Sequence, residues 1–434
     1  MSNTDSVLLI GGGGREHAIA HALAADSRCE LYACAGNRNP GITTLATNFR
    51  SIPETSVDAI VEYATTEPVN ADLAIVGPES ALEAGIVDAL DAVGVYTFGP
   101  TAQAAQIETN KAFQRQFMQS KSIPGCPDFA VFEEIEAACE YIDDAESDLA
   151  VKPAGLTGGK GVRVIGDQVT KREAKSYLRE NEYEQVVLEE RLVGEEFTVQ
   201  AFVANGELRT TPAIQDHKRA YEGDTGPNTG GMGSYSDTTQ ALPFMSTEEY
   251  EDAVAILEAT VEALPEYKGV LYGQFMLTGD GPRVIEFNAR FGDPEAMNTL
   301  PTLETSLLDI MRAAESDESL PTLSLSNQAT VCKYAVPEGY PIDPQSGVQI
   351  AVDEESIDGA RVYYASVDSR ENGLYTTTSR AFAVVGIADS IIAAESQAET
   401  ALSAASDGVR IRHDVGTPSL LQRRIDHMDA IRDE

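Results

Sequence analysis

Between Ser6 and Gly99, short apolar runs alternate with helical segments, and this alternation constrains the fold more than any other feature. Ser6 to Ile10, Glu30 to Ala35, DLAIVG (72–77) and VYTFG (95–99) read as strands. Glu16 to Ala25, Val57 to Ala64 and Ala81 to Val93 have helical spacing. Strands separated by helices pair in parallel through crossovers, so the region predicts a doubly wound parallel sheet. VLLIGGGGREH (7–17) joins the first strand to the first helix through four glycines. Such a helix start presents backbone N–H groups to an anion. The dinucleotide pattern GxGxxG is not met, because Glu16 stands at the third glycine position. The second strand ends in Cys34-Ala35-Gly36-Asn37, without the acid that would hold a ribose. The loop reads either as a monophosphate seat with Arg15 as charged helper or as a bare turn. His17 and His21 have the spacing of a metal pair, but no third ligand is near, and packed histidines fit better.

From about Thr101 the pattern changes. Residues 102–120 read as helix, and SIPGCPDF (122–129) as a linker into a new domain. Helices over 133–143, 171–180, 247–263 and 304–315 are interleaved with strands, among them YGQFMLTG and RVIEFNAR around a turn at Asp280-Gly281. A last segment, 328–434, carries strands and a helix near 389–405. With 434 residues, several domains are expected. The boundaries fall at 1–105, 106–320 (with a lid over about 122–192) and 321–434. No apolar run is long enough to cross a membrane, and MSNTDS at the start is polar. Five scattered cysteines form no CxxC. These features predict a cytoplasmic protein. Seventy acidic residues against 31 basic ones give a net charge of −39, spread over the whole chain. That charge makes nucleic acid a poor partner. It also predicts an acidic, solvated surface adapted to high salt.

Three stretches carry chemistry. VKPAGLTGGKGVRV (151–164) sets Lys152 before a glycine-rich turn holding Gly155, Gly158, Gly159, Lys160 and Gly161. It is not a Walker A loop, because Gly161 follows Lys160 where Ser or Thr would stand. Backbone N–H groups of such a hairpin can close over phosphates. In VIEFNARFGDPE (284–295), Glu286 and Asn288 are two apart on a strand and leave the same face, as does Arg290. Two oxygen donors beside a nucleotide suit Mg²⁺, and Gln274 on the partner strand offers a third. QDHKRAYEGDTGPNTGGMG (215–233) has no apolar period and reads as a substrate loop.

These stretches occur, with GPTAQAAQIETNKAF, IVGPE and GGGGREHA, in the order seen in the glycinamide ribonucleotide synthetase (phosphoribosylamine–glycine ligase) family of the ATP-grasp superfamily, which the chain resembles from about residue 7 to 310 and more weakly beyond. The resemblance implies an N-terminal α/β substrate domain, a central ATP-grasp fold and a small C-terminal α+β domain. It implies ATP-dependent joining of glycine to 5-phosphoribosylamine through a glycyl phosphate, with ATP and Mg²⁺ or Mn²⁺. It also allows a channelling partner that supplies the amine. The loop with Gly12, Gly13, Gly14, Arg15 and Glu16 resembles the 5-phosphate seat, and Glu79 the residue near the ribose. Lys111 and Lys152 are similar to the lysines that reach ATP phosphates. Gly155 to Gly161 resembles the mobile phosphate cover. LEERLVGEE (188–196) is similar to the adenine-side hinge, with Glu189, Arg191 and Leu192 near the base and Glu196 near the ribose. Glu286 and Asn288 resemble the metal ligands. Asp216, Lys218, Gly230, Gly231 and Arg290 resemble the residues around glycine and the transferred phosphoryl group. The C-terminal domain matches less well, which leaves Arg380 without an assigned role. A different ATP-grasp ligase would share the lysines and the IEFN strand but lack the DHKR…NTGGMG loop. A nicotinamide dehydrogenase is disfavoured by the failed fingerprint.

Overall fold

A computed structural model of the chain describes residues 4–156, 161–181, 183–403 and 408–433. Five strands, β1 (Asp5–Ile10), β2 (Cys29–Ala35), β3 (Asn48–Ser51), β4 (Leu73–Val76) and β5 (Tyr96–Phe98), form one sheet of order β3-β2-β1-β4-β5. All four pairings are parallel. Val7 to Ile10 are fully buried, as expected of a strand covered by helices on both faces. The order reverses between β1 and β4, which opens a crevice at their carboxyl ends, where ligands of such sheets bind. Helix α1 (Gly14–Ala24) starts at this crevice. The helix expected over 81–93 is two helices, Glu79–Glu83 and Ile86–Ala92, because Gly85 between them takes φ +83°.

The helix expected over 102–120 is also broken. Asn110 is extended, and its side chain accepts from Phe113 N–H, capping the helix Lys111–Lys121. The break sets Lys111 at a helix start. A four-stranded antiparallel sheet follows, in the order Phe129–Phe132, Val186–Glu190, Leu149–Pro153, Arg163–Val164. Helices Ile135–Asp144 and Lys171–Asn181 cover it, burying Ala138, Ile142, Ala174 and Leu178 against Val151 and Leu188.

The largest sheet has ten strands. Its main path runs Gly281–Asn288, Gly269–Thr278, Glu195–Ala204, Ile214–Asp216, Gly233–Ser236, Ala329–Pro337, Phe382–Ala388 and Ala360–Tyr364. The C-terminal strands therefore continue the central sheet, through pairing of Gly233–Ser236 with Ala329–Pro337. The two-residue turn falls at Gly279-Asp280, one residue earlier than expected, with Thr278 paired to Gly281. The polar stretch 221–236 holds more order than a loop. Arg219–Tyr221 and Thr225–Asn228 form a hairpin, and Gly233–Ser236 enters the sheet. The helix Pro418–Asp433, which no apolar run announced, packs Leu420 and Met428 into the main core. No described helix is long and apolar enough to cross a membrane. The crevice of the first sheet, the four-stranded sheet and the edge of the large sheet enclose a cleft of about 520 Å³.

Candidate active site

One half of the cleft wall is largely apolar. Leu156, Val162, Val164, Leu192, Met276 and Ile285 line it, with Arg191 and Glu196 at its edge. A flat base fits between such walls. Lys111 and Lys152 stand next to it. Lys111 Nζ donates to Gly155 O at 3.2 Å, and its backbone N–H to Ala154 O, so the broken helix start is tied to the strand that carries Lys152. Lys152 Nζ donates to Glu189 at 2.7 Å and to Ile285 O at 3.0 Å. Glu189 also takes two bonds from Arg115, at 2.8 and 2.9 Å, and Arg115 donates on to the carbonyls of Val284 and Ile285. This buried triad knits the four-stranded sheet to the metal-candidate strand. Burial works against the Glu189 charge, but Arg115 and Lys152 outweigh it and hold the carboxyl at about 2. Burial lowers the Lys152 ammonium, with Glu189 opposing. The Glu189 side chain therefore faces its two cations.

Glu286 and Asn288 share a face, and Gln274 lies directly opposite Glu286 in the ladder. The Glu286 side chain makes no hydrogen bond among the described residues. Burial opposes its charge, and Lys218, Lys111 and Lys152 more than offset that penalty. Gln274 bridges Lys218 and Glu196, accepting at 2.6 Å from the first and donating at 2.9 Å to the second. Asn288 Oδ1 accepts from Arg290 at 3.1 Å. No cluster of three or more His, Cys, Asp or Glu suited to a metal occurs among the described residues. An ionised carboxylate and an amide oxygen open to a phosphate-sized space nevertheless suit Mg²⁺, which takes one or two protein oxygens and completes its shell from phosphates and water.

Arg290 crosses between the sheets. It pairs with Glu108 at 2.7 Å and Glu79 at 3.6 Å. Burial pushes the Glu108 carboxyl up to about 7 against the pull of Arg290, and Ala289 N–H donates to it at 2.7 Å. Asp216 Oδ1 is buried with no hydrogen-bond partner among the described residues. Burial and the neighbouring Glu295 hold Asp216 far above the usual carboxylate range. Glu295, which accepts from Tyr272 at 2.8 Å, is raised by burial as well. Gly231 takes φ +111°, and a Cβ there would stand 2.7 Å from Asp216 Oδ1, so the turn must be glycine. Gly230 lines the cleft beside it.

At the first-sheet end, Arg15 and Glu79 reach the wall. Gly12, Gly13, Gly14 and Glu16 lie behind it. The Glu16 carboxylate turns into the loop, accepts from Gly13 N–H at 2.6 Å and pairs with Arg15 at 2.7 Å. Arg15 also donates to Phe291 O at 3.1 Å, which ties the first sheet's loop to the metal-candidate segment. Asn37 and Asn39 each donate to Gly12 O at 3.0 Å and set the loop from the end of β2. His17 is no metal ligand. Its Nδ1 accepts from Tyr364 N–H at 2.9 Å, and burial lowers its pKa to about 4. Gly161 O accepts from the Tyr177 hydroxyl at 2.9 Å. Gly158, Gly159 and Lys160 lie outside the described residues.

Sequence reasoning missed Arg115, Glu108 and Glu295, and left Arg380 without a role. Arg115 and Glu108 sit on helical turns whose only signal was charge inside an apolar period. Arg380, from the C-terminal segment, donates to the carbonyls of Gly230, Gly231 and Asp293 and stacks 4.4 Å over Tyr334.

A four-stranded antiparallel sheet facing a larger sheet across a lysine-lined cleft defines an ATP-grasp protein. Residues 5–108, 109–296 and 330–418 match the N domain, the ATP-grasp (A) domain and the C domain of phosphoribosylglycinamide synthetase, and the chain belongs to that family. It is 51% identical over 436 residues to the phosphoribosylamine–glycine ligase of Methanosarcina barkeri, covering 98% of this chain and 99% of the relative. The corresponding protein of Methanocella arvoryzae is 50% identical over 436 residues, with the same coverage. The crystal structure of phosphoribosylamine–glycine ligase from Thermotoga maritima superposes with a TM-score of 0.80 at 26% identity, covering 94% of this chain and 99% of that one. The biotin carboxylase domain of a Hydrogenobacter thermophilus 2-oxoglutarate carboxylase shares the fold, with a TM-score of 0.73 at 15% identity over 99% of this chain and 95% of that one.

Proposed function

We infer that the chain joins glycine to 5-phosphoribosylamine, consuming ATP and releasing glycinamide ribonucleotide, ADP and phosphate, as a cytoplasmic step of purine synthesis. The family membership supports this reading, and one observation carries it. Arg290, two residues past the end of the metal-candidate strand, is paired with Glu79 at the crevice of the first sheet, so the nucleotide and the sugar-phosphate amine would meet in one cleft.

The chemistry follows from the charges. A carboxylate does not acylate an amine directly, so glycine is first phosphorylated by the γ-phosphate of ATP. Catalysis is then positioning and charge neutralisation, and no side-chain nucleophile is needed. Mg²⁺, or Mn²⁺ in its place, would be held by Glu286 and Asn288, with Gln274 adjacent, and would neutralise phosphate charge. Lys111 and Lys152 hold phosphate oxygens, Lys152 being kept in place by Glu189. Arg290 steadies the transferred phosphoryl group. The buried Asp216 and Glu295, short of a cation, take the glycine ammonium. Glu79 orients the ribose, and the first-turn amides of α1 with Arg15 take the 5-phosphate. The segment 122–192 closes over the cleft and excludes water from the acyl phosphate. Within this reading the chain divides at about 105 and 320, with the C-terminal part bracing the substrate loop.

Glycine labelled with heavy oxygen in its carboxylate tests the intermediate. One labelled oxygen should appear in the released phosphate. Unlabelled phosphate from a productive reaction would exclude the glycyl phosphate.

A further inference from the structure

A dense charged cluster lies behind the cleft, where the hairpin of Arg219–Tyr221 and Thr225–Asn228 meets the C-terminal segment. At its centre is Arg412, whose side chain is fully buried. Its Nη2 donates to Asp224 at 2.8 Å and its Nε to Asp414 at 2.7 Å. Its Nη1 donates to the carbonyl of Arg219 at 3.1 Å. Asp414 in turn accepts from Gly223 N–H at 2.9 Å, and Arg424 donates to Asp224 at 2.6 Å. Arg410 donates to Ala220 O at 2.6 Å. Every residue from Arg219 to Asp224 except Tyr221 and Glu222 is thus held through backbone or carboxylate by residues 410–424, and the Tyr221 ring lies 4.9 Å beneath Arg410.

The clamp reaches the cleft in one step. Arg219, whose carbonyl Arg412 holds, follows Lys218, and Lys218 Nζ donates to Gln274 opposite Glu286. Thr229, at the other root of the hairpin, donates its N–H and its hydroxyl to Lys218 O, both at 2.8 Å. His217, between Asp216 and Lys218, is buried with both ring nitrogens unpartnered among the described residues. Burial and the guanidiniums of Arg412 and Arg424 keep it neutral, its pKa lowered to about 3. It therefore separates the arginine cluster from the cleft without adding charge to either. The planar guanidinium of Arg412 holds these acceptors with donors fixed in one plane, whereas the three donors of an ammonium rotate about a flexible stem.

We propose that Arg412 is a positioning residue for the ligase reaction, fixing Lys218 and the adjoining Asp216 through the hairpin from a segment more than 180 residues further along the chain. The kinetic part of this proposal rests on the ligase reading; the clamp itself does not. Loss of the clamp would loosen the floor of the cleft after the acyl phosphate has formed. Water would then compete with the amine. Its oxygen bonds to the carbonyl carbon, the bond from that carbon to the phosphate oxygen breaks, and glycine and phosphate leave with one proton released to solvent. ATP would be spent without ligation.

Arg412→Gln and Arg412→Lys test this on the full chain. Amide hydrogen exchange in the free protein should quicken about tenfold over residues 219–229 and stay unchanged over 149–153 and 186–190. The turnover rate should fall about tenfold or more, while the KM for ATP stays within about twofold. Phosphate release should exceed product formation in the variants and match it in the parent protein. Asp224→Asn reads the same contact from the hairpin side, and decides the matter if the Arg412 variants do not fold. Arg423→Ala, an exposed arginine 3.5 Å from Asp224, is the control and should change nothing. Unchanged exchange over the hairpin overturns the clamp. Faster exchange with normal turnover and coupling overturns the positioning role, and uniform quickening along the chain reduces Arg412 to general stability. If the parent protein forms no ligated product, the ligase reading fails, and the exchange result still decides the clamp.

Discussion

Glu189→Gln removes the carboxylate that two buried cations share, and its cost can be worked from the site. A carboxyl held at about 2 in place of the ordinary 4.5 contributes about 3 kcal/mol of folding free energy at neutral pH. Deleting one partner of a buried ion pair costs about 3–5 kcal/mol by a separate route, because the remaining charge is stranded. Here both Arg115 and Lys152 would be stranded, and both are nine-tenths or more buried. The variant should therefore be about 3–5 kcal/mol less stable at pH 7. Since the chain has no tryptophan, unfolding in urea is best followed by far-ultraviolet circular dichroism. The sign of the pH dependence follows from the lowered pKa. The stabilisation is complete above about 4.5 and is lost as pH falls toward 2, so the gap between variant and parent should close over that interval. Arg115→Met in the Glu189→Gln background should cost less than the sum of the single changes, because it removes one stranded charge. A loss of less than about 1 kcal/mol, the range of solvated pairs, would refute the triad as the joint between the two sheets.

Three further outcomes are expected. Glu286→Ala should abolish turnover and the response to added Mg²⁺ without shifting the urea midpoint; near-normal turnover would place the cation elsewhere. Arg15→Ala should raise the KM for phosphoribosylamine well above any change for ATP, and equal effects on both would mean that Arg15 serves only its contacts with Glu16 and Phe291. Raising KCl from dilute to molar should raise the melting temperature, because a net charge of −39 is then screened, and a flat response would remove the case for salt adaptation.

The first hundred residues were largely legible because each core strand is a continuous apolar run bounded by glycine or polar residues. β3 escaped notice: NFRS sits on the sheet edge with one apolar residue, so no pattern marks it. The breaks at Gly85 and Asn110 show why long helical periods mislead. A left-handed glycine and a capping asparagine each end a turn without disturbing the apolar spacing. In the cleft, residues grouped in one short stretch were readable, as Glu286, Asn288 and Arg290 were from period two alone. Residues whose role depends on distant partners were not. Arg115 gains its meaning from Glu189, and Arg380 from the carbonyls of Gly230 and Gly231. The hairpin at 219–228 read as a loop because its order comes from Arg410, Arg412 and Arg424, not from its own apolar residues. Glu16 marks the same limit at the glycine loop: its position counted against a dinucleotide, but not that its carboxylate would turn back onto Gly13.

The central claim is that one cleft couples ATP cleavage to amide formation between glycine and phosphoribosylamine. Phosphate release from ATP should be measured with glycine and phosphoribosylamine supplied together and singly, with glycinamide ribonucleotide quantified in the same samples. The account predicts sustained release only with both substrates present, matched one-to-one by ligated product. Release that ignores the amine, or none with both present, would contradict it.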